Sequence, residues 1–167
     1  MSETVSEKEE LVCRRSPSQI LNIRIFSINI LIVALIIAIY AFLSQRYETS
    51  LYVVLLCFLP MQVIVWNFFK VHCTRYILTN ERLTIITGVL NRKTEEIELY
   101  RIKDSSFEEP LIYRFFGVGN IRLETSDRSM ATVYMRALPH GKAFREDLRR
   151  CVEAIREKKN VREVDFQ

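Results

Sequence analysis

Two stretches of 21 residues without a charged side chain, Ile25–Gln45 and Thr49–Phe69, constrain this chain more than any other feature. As helices they would each reach about 31 Å, the thickness of a bilayer's hydrocarbon core. The connection around Gln45 to Ser50 is too short for anything but a tight turn, so the two spans are expected to pack as antiparallel neighbours. A cleaved signal peptide fits poorly. The leader of 24 residues has mixed charge, the apolar segment is longer than a signal core, and no small-x-small cleavage site follows.

Charged residues near the span ends set the expected orientation. Arg14, Arg15 and Arg24 precede the first span, Lys70, Arg75 and Arg82 follow the second, and only Arg46 lies in the turn. The positive-inside rule then places both termini in the cytoplasm. Tyr40, Tyr47 and Tyr52 would mark the outer interface and Trp66 the inner one, where amphipathic rings settle. Within the spans, Asn29 and Gln62 lie at similar depth and are candidates for a polar contact between the helices. Pro60 can kink the second span. Neither span holds Asp, Glu, Lys, Arg or His, so nothing suggests a proton relay or ion path.

Beyond the spans the apolar period changes. Arg75–Thr79, Arg82–Thr87 and Lys93–Leu99 are short runs of β-branched and aromatic residues separated by turn residues, which predicts consecutive antiparallel strands. Ile102–Glu109 continues the pattern, Pro110–Phe116 suggests a helical turn ending at Gly117, and Asn120–Thr125 and Met130–Met135 read as further strands. Six or so strands in so short a segment require a small sandwich or barrel. After Pro139, Phe144, Leu148, Cys151, Val152 and Ile155 form one apolar stripe on a helix whose other face is charged, and such a stripe needs a sheet or barrel end to cover. The predicted class is therefore membrane-anchored α+β. A cytoplasmic N-terminal segment (1–24) leads to a transmembrane hairpin (25–69, spans about 25–45 and 49–69), a cytoplasmic domain (70–159) and a charged tail (160–167).

The chemistry-bearing residues are few. Histidine occurs only at His72 and His140, and the cysteines Cys13, Cys57, Cys73 and Cys151 have no paired spacing, so neither a metal centre nor a disulfide framework is expected. No acid–base or nucleophile set is recognisable, which argues against an enzyme and against a cofactor. The formal charge of +4 resides in residues 70–167, which hold 19 Lys and Arg against 15 Asp and Glu. Lys70, Arg75, Arg82, Arg92 and Lys93 lie on or beside the first predicted strands and are candidates for contact with anionic headgroups, at about 1 kcal/mol per well-placed cation. Glu95, Glu96 and Glu98 read as a solvated strand edge that discourages aggregation.

The segment Tyr76-Ile-Leu-Thr-Asn-Glu-Arg-Leu-Thr-Ile-Ile-Thr-Gly88, then Glu96-Ile-Glu-Leu99 with Arg101-Ile102, then Arg114-Phe-Phe-Gly-Val-Gly-Asn-Ile-Arg-Leu-Glu-Thr-Ser126, resembles the bacterial PH-domain membrane proteins of the second type. The resemblance covers roughly residues 70 to 157, and a preceding helix pair is a common arrangement in that family. It implies a small PH-like barrel or sandwich capped by a C-terminal amphipathic helix. The function it implies is a non-catalytic interaction module, a scaffold or subunit at the inner face of a bacterial cytoplasmic membrane. The expected partners are membrane lipids and a membrane protein or further copies of the chain, not nucleic acid. The alternative expectation is an anionic-lipid-binding module that uses Arg75, Arg82 and Arg92.

Overall fold

A computed structural model of the chain describes residues 9–44, 55–128 and 130–159. Strand formation follows the alternation in the sequence. In β2 (Arg75–Thr79) Tyr76 and Leu78 point inward, and in β3 (Arg82–Thr87) Leu83 and Ile85 do so, because successive strand side chains take opposite faces. β4 (Lys93–Glu98) completes the hairpin series and buries Ile97. At the β3–β4 turn Gly88 has a φ of +106°, and a Cβ there would lie 1.9 Å from the Asn91 carbonyl oxygen, so only glycine fits.

The outer strand of this sheet comes from before the first helix. β1 (Leu11–Arg15) runs antiparallel to β2, pairing Cys13 with Leu78, Arg14 with Ile77 and Arg15 with Tyr76, and the four-stranded order is β1-β2-β3-β4. A 3-10 turn at Leu99–Arg101 leads to the second sheet, β5 (Ile102–Glu108), β6 (Val118–Thr125) and β7 (Thr132–Pro139), in the order β5-β6-β7. Both sheets and the last helix share one core. Leu78, Leu83 and Ile97 come from the first sheet, Ile121, Leu123 and Met135 from the second, and Phe144, Leu148, Val152 and Ile155 from the helix Gly141–Lys159.

Among the described residues, two long α-helices lie between β1 and β2. α1 (Ile23–Ser44) buries none of its residues and is long and apolar enough to cross a membrane. α2 (Phe58–Cys73) touches α1 and runs into β2 with only Thr74 between. Pro60 lies in the first turn of α2, where its missing N–H costs no internal hydrogen bond. The expected connection around Gln45–Ser50, with Tyr47 and Tyr52, lies outside the described residues, as does the tail from Asn160. The remaining elements are α3 (Leu111–Phe115), a single short turn between β5 and β6, and α4, the Gly141–Lys159 helix.

The register within each sheet, joined by the bonds Ser18 N–H to Ala137 carbonyl and Ser126 N–H to Arg101 carbonyl, gives the domain two distinct ends. At one end lie the end of β1, the start of β2, the β3–β4 turn, the β5–β6 connection with α3, and the end of β7. Both helices of the pair leave from this end. At the other lie the Asn80–Glu81 turn, the Leu99–Arg101 turn and the β6–β7 connection.

Candidate functional site

The helix-bearing end is built on a polar junction. Ser18 N–H donates to the Ala137 carbonyl at 2.8 Å, and Ala137 N–H donates to Asn120 Oδ1 at 2.9 Å. Ala137 has a φ of +49°, beside an irregularity in the β6–β7 register between Gly119 and Ile121. That bulge turns both its backbone groups out of the ladder and frees its carbonyl for Ser18. After Ser18, the 3-10 turn Gln19–Asn22 opens the first helix. Gln19 Nε2 donates to the Phe68 carbonyl at 3.1 Å, and the buried Asn22 donates through Nδ2 to Gln19 Oε1 and to the Asn67 carbonyl, both at 3.0 Å. Sheet, first helix and second helix are thus fastened at one point.

This junction replaces the polar contact expected deeper in the helix pair. Asn29 Nδ2 donates to the carbonyl of Ile25 in its own helix at 2.8 Å, and Gln62 is exposed. An amide four residues on from a helix carbonyl can satisfy itself locally, and Asn67 does the same with Val63.

The structure divides the candidate headgroup cations. Lys70, Arg75, Arg92 and Lys93 lie at the helix-bearing end: Lys70 on the last turns of α2 with its ammonium 6.0 Å from the Trp66 ring centre, Arg75 at the start of β2, and Arg92 and Lys93 where β4 begins. Lys93 pairs with Glu95. Arg82 is not with them. It opens β3 at the opposite end, opposite Glu98, because the β2–β3 hairpin sends its two arginines a full strand apart.

The two ends also differ in how their charge is met. Arg82 binds Glu9 through Nη2 at 2.5 Å and Glu96 through Nη1 at 2.7 Å, and Arg101 lies 2.9 Å from Glu98 and 3.3 Å from Asp127. The Glu96 hydrogen bond is the main reason the Arg82 guanidinium holds its proton beyond the ordinary arginine range. Arg82, Glu96, Glu98, Arg101 and Asp127 rim a shallow depression of about 310 Å³. The exposed pairs among them, such as Arg82–Glu96, contribute little net stability. At the helix-bearing end, by contrast, Arg15, Arg24, Lys70, Arg75, Arg92 and Arg114 form no ion pair among the described residues. The Nε of Arg15 is buried without a hydrogen-bond acceptor. Arg15 and Arg24 could be anticipated as flanking charges of the first span, whereas Arg114 carried no signal, since only the fold brings α3 to this end.

No group of three or more His, Cys, Asp or Glu side chains suited to a metal ion occurs among the described residues. His72 stacks on Phe68 with ring centres 5.8 Å apart. His140 precedes α4 with a φ of +52° and donates its N–H to the Gly117 carbonyl, a turn position with no second ligand in view.

Residues 18–151 match the bacterial PH domain family. The chain is also similar to a DUF1696 family protein with a pleckstrin-homology domain from Shewanella loihica PV-4, at 14% identity and a TM-score of 0.40, over 50% of this chain and 74% of that one. No curated protein matches. The family match takes in both helices of the pair, all strands from β2 to β7 and more than half of α4, and on that extent the chain belongs to the bacterial PH domain family.

Proposed function

We propose that this chain is a non-catalytic interaction module anchored in a bacterial cytoplasmic membrane, with α1 and α2 spanning the bilayer and both termini on the cytoplasmic side. One observation carries the reading. β1 and β2, which flank the helix pair in sequence, are hydrogen-bonded neighbours in one sheet, so the chain leaves the domain and returns to it at the same end. A path that crosses a bilayer from such a sheet must cross it twice. The unpaired cations at that end agree with the positive-inside rule, and the exposed apolar surface of α1 agrees with a lipid surround.

The domain would then act by presenting its surface, to a protein or to further copies of itself, at a fixed distance from the membrane. Tethering raises the local concentration of a module, so a weak surface suffices. The test is purification of the full chain from its native membrane in mild detergent, with mass spectrometry of co-purifying proteins and lipids. A stoichiometric protein or a stable homo-oligomer supports the scaffold reading, and a lone chain without either defeats it.

A second reading, contact with anionic lipid, is favoured by the unpaired cations. It now rests on Lys70, Arg75 and Arg92 and no longer on Arg82. Charge reversal of Arg75 and Arg92 in the full chain should then strip bound anionic lipid, whereas Arg82→Glu should leave it in place. Equal effects from both would remove this reading.

A further inference from the structure

Among the described residues outside the helix pair and Leu55 and Leu56, the large exposed apolar side chains fall into two groups. Leu11, Val12 and Tyr134 lie on strands, and the rest lie on two connections. One is the β3–β4 turn, where Leu90 is 86% exposed. The other is the β5–β6 connection, where Leu111 is 79%, Ile112 59%, Phe115 91% and Phe116 56% exposed. A single exposed leucine is ordinary on a soluble surface. Five such residues on two connections distant in sequence are not, when both connections lie at the end from which the helices emerge.

The local structure gives the second group one face. Leu111 and Phe115, and Ile112 and Phe116, are each one helical turn apart, so the four side chains share a stripe while Tyr113 turns toward the domain and is half-buried. Gly117, with a φ of +63°, stops the turn and begins β6 at once. Arg92 and Arg114, exposed and unpaired among the described residues, stand beside the two apolar groups. Apolar tips flanked by cations match the layered chemistry of a membrane interface, acyl chains below and phosphates above. At the opposite end, the connections Asn80–Glu81, Leu99–Arg101 and 126–131 expose no large apolar side chain among their described residues.

We propose that the β3–β4 tip and α3 are two interfacial wedges, which seat the domain on the bilayer that its own helix pair crosses. The occupant of the apolar surface is the headgroup and upper acyl layer of an anionic bilayer. The inference rests on the membrane-anchored reading above, and goes beyond it by fixing which face of the domain lies on the lipid. Three points of contact, the helix pair, Leu90 and α3, would hold the domain in one orientation and turn the Arg82 end toward the cytoplasm.

The test uses the full chain in nanodiscs of mixed phosphatidylglycerol and phosphatidylcholine. The single tryptophan is removed by Trp66→Phe, and one reporter is then introduced at a time: Phe115→Trp, Leu90→Trp, Leu35→Trp in α1, or Glu81→Trp at the far end. Circular dichroism checks that each variant is folded. The expected result is that the reporters at 115 and 90 lose most of their emission to lipids brominated near the glycerol level and are shielded from aqueous iodide, while the reporter at 81 is quenched by iodide alone. If the reporter at 115 is quenched by iodide as freely as that at 81, while that at 35 responds to lipids brominated near the ends of their acyl chains, the wedges are wrong and the anchor stands. Shielding from both quenchers would assign the surface to a protein contact and also overturn the proposal. If the reporter at 35 ignores lipids brominated near the ends of their acyl chains, the anchored reading itself fails.

Discussion

Ser18 donates its main-chain N–H to the carbonyl of Ala137 at 2.8 Å, which fastens the residue before the first helical turn to the last strand of the second sheet. Together with the β1–β2 ladder, this fixes where the helix pair leaves the domain. It also changes what the domain is: a fragment beginning at Lys70 would lack β1 and Ser18, and would leave the β2 edge, with Tyr76 and Leu78, without its neighbour.

Ser18 allows a clean test of that bond. Its φ of −78° already suits proline, so Ser18→Pro removes the N–H with little backbone strain. Leaving the Ala137 carbonyl without its donor should cost about 1–3 kcal/mol. Ser18→Ala loses only the weaker 3.4 Å side-chain cap to Ile20 and should cost about 1 kcal/mol or less. Thermal unfolding of the two full-length variants in detergent should rank them in that order, and a reversed order would deny the bond its role.

Gly119 and Phe107 form a second pair. A Cβ at Gly119 would lie 2.4 Å from two carbons of the Phe107 ring, across the β5–β6 ladder. Gly119→Ala should therefore destabilise by about 1–3 kcal/mol through overpacking. In a Phe107→Leu background the same change should cost less, and the double-mutant cycle should report coupling between the sites. Additive costs would show that the ring can move aside.

Alkaline pH should weaken the fold through one buried group, Tyr76, and two partly buried ones, Cys13 and Cys151. Burial is the main cause that raises the Cys13 and Cys151 thiols, with Asp147 adding to both, and burial likewise raises Tyr76. Unfolded, these groups ionise near 9.0 and 10.0. The folded chain keeps their protons to higher pH, so their stabilisation is complete below pH 9.0 and is lost as pH climbs through the raised folded values. Replacing both cysteines with alanine and Tyr76 with phenylalanine should flatten the fall in stability relative to the parent chain. An unchanged slope would place these groups in water.

The strands from β2 onward were legible because Arg75–Thr79 and Arg82–Thr87 alternate cleanly and their turn chemistry is local. β1 was not, because Leu-Val-Cys-Arg-Arg is short, forms a sheet edge, and leaves both Leu11 and Val12 exposed. Periodicity finds faces that are buried, and this strand is held by its backbone ladder. Asn22 was missed for a related reason: its partners are the main-chain carbonyl of Asn67 and the Gln19 side chain, and a carbonyl has no sequence signature. Of the five cations, proximity to the end of the second span marked Lys70 and Arg75. Arg82 was grouped with them by sequence distance, although an antiparallel hairpin takes it to the other end.

The central claim, that the chain crosses the membrane twice and returns to the same side, is tested most directly by thiol labelling. With Cys13, Cys57, Cys73 and Cys151 replaced, single cysteines are introduced by Glu10→Cys, Glu48→Cys or Lys158→Cys, and intact bacterial spheroplasts are treated with a membrane-impermeant maleimide. The account predicts labelling at position 48 in intact cells, and labelling at positions 10 and 158 only after permeabilisation. Labelling of position 10 or 158 from outside, or protection of 48 together with them, would contradict it.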